Sequence, residues 1–402
     1  MPTKSIKKIS LVGAGNVFNA GLGFLFLTAV ARTLDLETFG KYALLSTLLL
    51  TLSKIVDFGA NSVFVARSIT EQNNKLSDTL FTLKILQFII TIPISLVCLK
   101  LLNVFTPTIA LIFILGTGAY TMNYLFYAYF QRAEKYSEMI LLNTIPQLIK
   151  AAVAVALFAN IFPATLDLSF GVFSLTILAG ALLYFRLPSE NKRPHIDPTG
   201  LAILFKEALP AGTSQIVYES WGTLNNAIAK FAKGFSDVGI LSLANKISNI
   251  FSLVSLSIFA VLLPKNATRK LTGKRYDYAE TLLISLGIIA LAALSVFASE
   301  IFVIRVFGEK FAGSVGLLDI LIIAAAISSI HTFLENFFFV ESKTNYIIIS
   351  TGIKLASYGC AVALLLPVYD LYGIAWANLV SAITGLATTL YFVSLFKAER
   401  TA

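Results

Sequence analysis

Residues 43–66 read ALLSTLLLTLSKIVDFGANSVFVA, with Lys41 just before them and Arg67 just after. A membrane helix needs roughly 20 predominantly apolar residues, and this run has that length, cations at both ends and two charges, Lys54 and Asp57, near its middle. Its apolar residues are continuous, whereas an outer-membrane barrel strand alternates apolar and polar positions. The stretch therefore reads as a transmembrane α-helix.

The rest of the chain repeats the pattern. Of 402 residues 57% are hydrophobic and 13% charged, about half the roughly 25% charge of a soluble domain, and mean hydropathy is +0.80. So few charges cannot cover the apolar surface of a water-soluble fold of this size. Disorder, collagen and coiled coil are excluded on the same grounds. Loop breakers divide the chain into twelve expected spans: 10–31, 43–66, 79–99, 108–130, 138–159, 168–185, 203–231, 239–262, 281–304, 314–336, 346–366 and 373–395. Twelve spans of about 22 residues leave connections of about 11 residues, too short for a soluble domain. The seventh contains Pro210 and Gly212 and is expected to kink or to begin before the membrane.

The cations divide unevenly between the two sides. Eighteen lysines and arginines fall on the side of the N-terminus, against six (Arg32, Lys41, Lys100, Lys233, Arg305 and Lys310) on the other. The positive-inside rule then puts both termini in the cytoplasm, and the net charge of +9 reflects topology and lipid headgroups, with no nucleic-acid patch. Ala29-Val30-Ala31 formally resembles a leader cleavage site, but the run before it is too long for a leader's apolar core and carries Asn16 and Asn19, so an uncleaved first helix is expected. Cys98 and Cys360 sit in apolar runs with no CxxC, and His195 and His331 are far apart. No disulfide framework, metal site or cofactor is expected.

Two halves echo each other. Ala154-Val155-Ala156-Leu157 followed by Leu183-Tyr184-Phe185 returns as Ala361-Val362-Ala363-Leu364 followed by Leu390-Tyr391-Phe392, and Phe39-Gly40 returns as Val238-Gly239. The stretch 186–200, with Pro188, Pro194 and Pro198, is the natural linker and hinge. The expected domains are a six-helix lobe at 1–185, the cytoplasmic linker at 186–200 and a six-helix lobe at 201–402, related by an axis along the membrane normal.

Ionisable groups near mid-bilayer are costly and mark function or a compensated pair. Lys54 and Asp57, three residues apart on one face, either neutralise each other or line a cavity. Lys150, Glu219 and Lys246 are the other deep charges, each a cavity candidate. Lys84, Lys206 and Lys354 lie near the inner face, where snorkelling accounts for them. Tyr120, Tyr124, Tyr127 and Tyr129 crowd one span and read as packing rather than as a sugar-stacking surface. No Walker loop, GxSxG or carboxylate pair with a water path is present, so no enzyme is indicated.

Arg32-Thr33-Leu34-Asp35-Leu36-Glu37-Thr38-Phe39-Gly40-Lys41-Tyr42-Ala43-Leu44 resembles the first outer loop of Wzx-type O-antigen flippases, polysaccharide exporters of the MOP superfamily. Val56-Asp57-Phe58-Gly59-Ala60 with Arg67, Leu209-Pro210-Ala211-Gly212, Val238-Gly239-Ile240 through Lys246, Leu263-Pro264, Val306-Phe307-Gly308 and Tyr372-Gly373-Ile374-Ala375 follow in the family's order. The resemblance implies two six-helix lobes around a cavity that opens alternately to each side of the bacterial inner membrane, as in MATE transporters. It implies flipping of an undecaprenyl-pyrophosphate-linked oligosaccharide, as in lipopolysaccharide biosynthesis, by a monomer beside an O-antigen polymerase and a chain-length regulator. Such cavities are often lined with basic residues, and the matching positions here are Lys54 and Lys246. Span one departs from that pattern, with no charge between Lys8 and Arg32. Substrate binding is therefore expected to draw on Lys54, Lys246, Lys150, Asn16, Asn19, Asn225 and Asn226, with Glu219 or Asp57 as an ion-coupling group. The alternatives are a multidrug/cation antiporter of the same superfamily, which would often use a span-one carboxylate, and a membrane-embedded O-antigen polymerase or acyltransferase. The outer loops are too short for the large periplasmic loop of a polymerase.

Overall fold

The computed structural model describes residues 2–70, 75–192, 195–251, 278–335 and 345–399, with residues 258, 266, 269, 272, 337 and 338. Most of the far half of the expected eighth span, Leu263-Pro264, and the cations Arg193, Lys265, Lys270, Lys274, Arg275, Lys343 and Arg400 lie outside the described residues. The described chain is all-helical: α1 Pro2–Thr33, α2 Leu36–Asp57, α3 Ala60–Thr70, α4 Lys75–Leu101, α5 Pro107–Arg132, α6 Tyr136–Phe158, α7 Leu166–Leu175, α8 Leu201–Ala232, α9 Phe235–Ser248, α10 Tyr278–Phe307, α11 Ser314–Leu334, α12 Asn345–Tyr369 and α13 Leu371–Glu399. After α7 the chain tightens to a 3-10 helix over Thr176–Arg186. Among the described residues, ten helical segments are long and apolar enough to cross a membrane. The protein is a multi-pass membrane protein.

Local chemistry sets the helix ends. Asp35 precedes α2 and accepts the Thr38 N–H at 3.0 Å, and two hydrogen bonds from Thr38, the backbone one first, hold its carboxyl below the usual range. Thr106 and Thr165 cap α5 and α7 in the same way. The expected second span is two helices, because Phe58 (φ 42°) and Gly59 (φ 68°) take left-handed conformations between α2 and α3. The expected seventh is one helix running through Pro210.

Backbone proximity groups the described chain into two compact units, Met1–Gly239 and Ile240–Ala402. This grouping assigns 201–239 to the first unit, whereas the sequence echo groups it with the C-terminal half; compactness and repetition are different criteria. In the first unit α1 packs along α6, α2 along α8, and α5 touches α2, α3, α4, α6 and α7. Phe64, Leu80, Ala128, Tyr129, Phe130, Leu142, Leu204 and Ala208 form part of one core there. In the second unit α11 packs on α10 and α13, and α12 lies along α13. The stretch 186–200, expected to be a hinge, is fastened to the start of α4. His195 N–H donates to Asp78 Oδ1 (2.9 Å), Asp197 N–H to Thr82 Oγ1 (2.8 Å), and Thr79 Oγ1 to the Thr199 carbonyl (3.0 Å). Its polar residues meet the hydroxyls and carboxylate that open α4, so this segment is held on the first unit.

Two crossings in the first unit are closed by glycine. A methyl group on Gly40 would stand 1.7 Å from the Phe235 carbonyl oxygen, and one on Gly239 would stand 2.7 Å from that of Leu36. The contact is reciprocal: Leu36 and Gly40 meet Phe235 and Gly239, the same positions 199 residues later. At the other crossing a methyl on Gly59 would stand 2.8 Å from the Gly212 nitrogen, and one on Gly212 would stand 2.5 Å from the Phe58 oxygen. Helices α1 and α8 share the length of 32 residues, and both their ends are separated by the same 199 positions.

Candidate functional site

Helices α2 and α8 run antiparallel and meet along a polar seam. On α2 the seam presents Thr47, Thr51 and Lys54; on α8 it presents Asn226, Thr223 and Glu219. Both sets fall at the i, i+4, i+7 spacing of one helix face. Asn226 Nδ2 donates to Thr47 Oγ1 at 3.1 Å, Thr51 and Thr223 share a hydroxyl hydrogen bond at 2.8 Å, and Thr51 Oγ1 also donates to the Glu219 carbonyl at 3.0 Å. The seam ends in charge, with Lys54 Nζ 3.8 Å from Glu219 Oε1.

That ion pair is loose and open. The Lys54 and Glu219 side chains are 21% and 34% exposed, and 3.8 Å is beyond hydrogen-bond distance. Lys54 Nζ also stands 5.2 Å from the centre of the Tyr124 ring, whose negative face attracts a cation. The ammonium is therefore held in place without being consumed, and an arriving anion need displace only one distant carboxylate.

Asp57, expected either to neutralise Lys54 or to line a cavity, pairs with Lys84 at 3.1 Å. Lys84, expected to snorkel, is fully buried and also donates to the Val56 and Asp57 carbonyls, each at 3.0 Å. The reason is depth: α4 begins at Lys75, a turn earlier than expected, so position 84 lies further from the helix end than the hydropathy boundary implied. Tyr124 stands between the two pairs. Its ring is 5.8 Å from Lys84 Nζ, its hydroxyl shares a 3.1 Å hydrogen bond with Ser53, and its carbonyl accepts from Asn61 at 3.0 Å. Expected as packing, this tyrosine joins the two charged pairs. Tyr129 is packing, its hydroxyl donating to the Ser77 carbonyl at 3.2 Å.

The other expected residues distribute over three places. Asn225 and Asn226 are buried on α8, Asn226 in the seam. Asn19 is buried and Asn16 exposed on α1, which packs on α6. Lys150 is buried on α6 with its ammonium 4.7 Å from the centre of the Phe173 ring. Lys246 is half-buried on α9, in the second unit, so it and Lys54 do not meet within either unit. Lys206 is exposed, while Lys354 lays its stem across Gly385 of α13. Sequence reasoning missed Lys84, Tyr124, Thr51 and Thr223. A hydroxyl every turn beside Lys54 was the legible signal for Thr47 and Thr51; nothing within span three marked Lys84 as paired.

The sequence profile of the family described as "Polysaccharide biosynthesis protein" matches residues 5–268. No curated protein is matched. Among solved structures, one of the lipid II flippase MurJ in an inward closed conformation is 14% identical with a TM-score of 0.78, covering 96% of this chain and 87% of that one. A multidrug resistance MATE family transporter of the MOP superfamily, inward-facing, is 13% identical with a TM-score of 0.73, covering 94% and 96%. A MATE protein in complex with MaD3S is 13% identical with a TM-score of 0.63, covering 100% and 97%. At these identities the likeness is one of fold, and the fold is MATE-like.

Proposed function

This chain belongs to the polysaccharide biosynthesis protein family, and we propose that it is a flippase carrying an undecaprenyl-pyrophosphate-linked oligosaccharide, of the O-antigen kind, from the cytoplasmic to the periplasmic leaflet of the bacterial inner membrane. The observation that carries the proposal is the partly buried Lys54, loosely matched by Glu219 at the end of a hydroxyl-rich seam. A diphosphate leaving water needs charge-assisted donors to replace its hydration, and Lys54 can supply them beside the partly exposed hydroxyls of Thr47 and Thr223, while the buried Thr51 and Asn226 hold the seam together. Lys246 supplies a second ammonium. Lys150, Asn16, Asn19 and Asn225 shape the polar surface further from Lys54.

The architecture we propose is twelve spans in two six-helix lobes, 1–185 and 201–402, with both termini cytoplasmic. It is supported by the 199-residue displacement that relates α1 to α8, and by the reciprocal contact of Gly40 and Gly239, the self-complementary pattern of a two-fold relation. The protein acts as a monomer, delivering product to a polymerase and its chain-length regulator. No nucleotide-binding motif is present, so a gradient or consumption of product drives transport, and Glu219 is the better ion-coupling candidate because Asp57 is held by Lys84.

The test is glycan export in a strain deleted for the gene and complemented with variants at wild-type membrane abundance. Lys54→Ala is expected to lower surface glycan at least tenfold, and Lys54→Arg to retain most of it. Export that is unchanged in Lys54→Ala refutes the assignment. A multidrug/cation antiporter would instead confer drug resistance on overexpression and leave surface glycan intact on deletion.

A further inference from the structure

Lys84 is engaged in an unusual way for a lysine within a membrane helix. Its ammonium has three hydrogens, and three oxygens receive them: the Val56 carbonyl at 3.0 Å, the Asp57 carbonyl at 3.0 Å and Asp57 Oδ1 at 3.1 Å. The side chain is 1% exposed and that of Asp57 9%. Both carbonyls belong to the last turn of α2, at the point where Phe58 and Gly59 interrupt the expected second span.

A helix C-terminus leaves carbonyls without donors and carries the negative end of the helix dipole. In water such an end is solvated; inside a membrane span it needs an internal partner. Broken helices in membrane proteins meet that need by binding a free cation on the unwound carbonyls. Here the same oxygens are present, with a carboxylate added, and Lys84 Nζ occupies their centre. Asn61 stands in the first turn beyond the break, 8% exposed, with its Nδ2 donating to the Tyr124 carbonyl and its Oδ1 accepting no hydrogen bond. Tyr124 turns its ring toward the ammonium, 5.8 Å away.

We propose that the broken end of α2 is a monovalent-cation site whose resident cation is the chain's own Lys84 ammonium. The native protein therefore takes up no free ion at Asp57, and removal of the ammonium opens the site to an external cation. Nitrogen-to-oxygen distances of 3.0–3.1 Å make a cage that suits potassium or ammonium better than sodium. The inference does not depend on what the protein transports, and its test uses no transport assay.

Full-length Lys84→Ala is purified in detergent and melted in chloride salts of potassium, ammonium, sodium and N-methylglucamine at equal ionic strength. Its melting temperature is expected to rise with potassium or ammonium by about 2 °C per tenfold increase once the site fills. The rise should be smaller with sodium and absent with N-methylglucamine. Wild type, Lys84→Arg and Lys84→Ala/Asp57→Asn are expected to show no preference among the four. Lys84→Ser serves as a second opened variant with the same expected order. If neither opened variant survives purification, limited proteolysis in native membranes in potassium against N-methylglucamine gives the same comparison. Opened variants that ignore cation identity overturn the proposal, as does a wild-type protein that shows the potassium preference itself.

Discussion

The pair Asp57–Lys84 makes a quantitative prediction about non-additivity. Asp57→Asn leaves an ammonium that is 1% exposed without its counter-charge but with both carbonyl acceptors, and removal of one member of a buried pair costs about 3–5 kcal/mol; the retained carbonyls place this variant near the lower figure. Lys84→Met strands a carboxylate that is 9% exposed and also orphans the Val56 and Asp57 carbonyls, at about 1–3 kcal/mol for each unsatisfied group. At least about 5 kcal/mol is expected in total. The double variant removes both charges, so only the orphaned carbonyls remain, and it should be no worse than Lys84→Met alone. The two positions then interact by at least about 3 kcal/mol, the upper end of what contacting residues show. Thermal unfolding in detergent, followed by the fluorescence of Trp221 and Trp376, gives the comparison. Midpoints of the two single variants that add in the double variant to within about 0.5 kcal/mol would mean that the residues do not sense each other, and the burial argument would fail.

Two smaller predictions concern the framework. Gly40→Ala and Gly239→Ala should each destabilise by at least about 1–3 kcal/mol, because the new methyl meets backbone that cannot rotate away. Gly352→Ala on α12, where nothing lies within 4 Å, should be neutral or stabilise by about 0.5–1 kcal/mol; melting midpoints showing the reverse order refute the crossing. Asp35→Ala removes the α2 cap and should cost about 1 kcal/mol at neutral pH. The Asp35 carboxyl titrates below its usual 3.8, so its contribution is present above that value and fades as pH falls through the lower, folded one; wild type and Asp35→Ala should converge there, and a gap that persists unchanged to pH 2 contradicts the cap.

The spans were legible because hydrocarbon thickness sets a length that any apolar run must meet. Expected 108–130 became Pro107–Arg132, and expected 138–159 became Tyr136–Phe158. The partners of the buried charges were not legible in the same way. Lys54 and Asp57 share a face by spacing, but each finds its opposite charge on another helix, Glu219 on α8 and Lys84 on α4. Spacing reports only neighbours along one helix, whereas the cost of burying charge is settled by whichever helix packs alongside. The resemblance had one further piece of information that spacing lacked. Val56-Asp57-Phe58-Gly59-Ala60 and Leu209-Pro210-Ala211-Gly212 were recognised separately, and the structure packs them on each other at the Gly59–Gly212 crossing.

The two glycine crossings also bracket the charged end of the seam, which bears on how Lys54 keeps its position. Gly40 lies near the start of α2 and Gly59 just past its end, and both bring backbone against backbone on the 201–239 segment. Helices pinned at two points along one face cannot slide or roll independently, so Thr47, Thr51 and Lys54 remain opposite Asn226, Thr223 and Glu219. The Lys84 ammonium also fixes the end of the same helix through the Val56 and Asp57 carbonyls. A lysine side chain ordinarily spends about 2 kcal/mol of rotamer entropy to hold one geometry. Here its helix is pinned, and its ammonium stands over the Tyr124 ring and faces a carboxylate too distant to bond, so an anion arriving at Lys54 meets a donor already oriented and only weakly committed elsewhere.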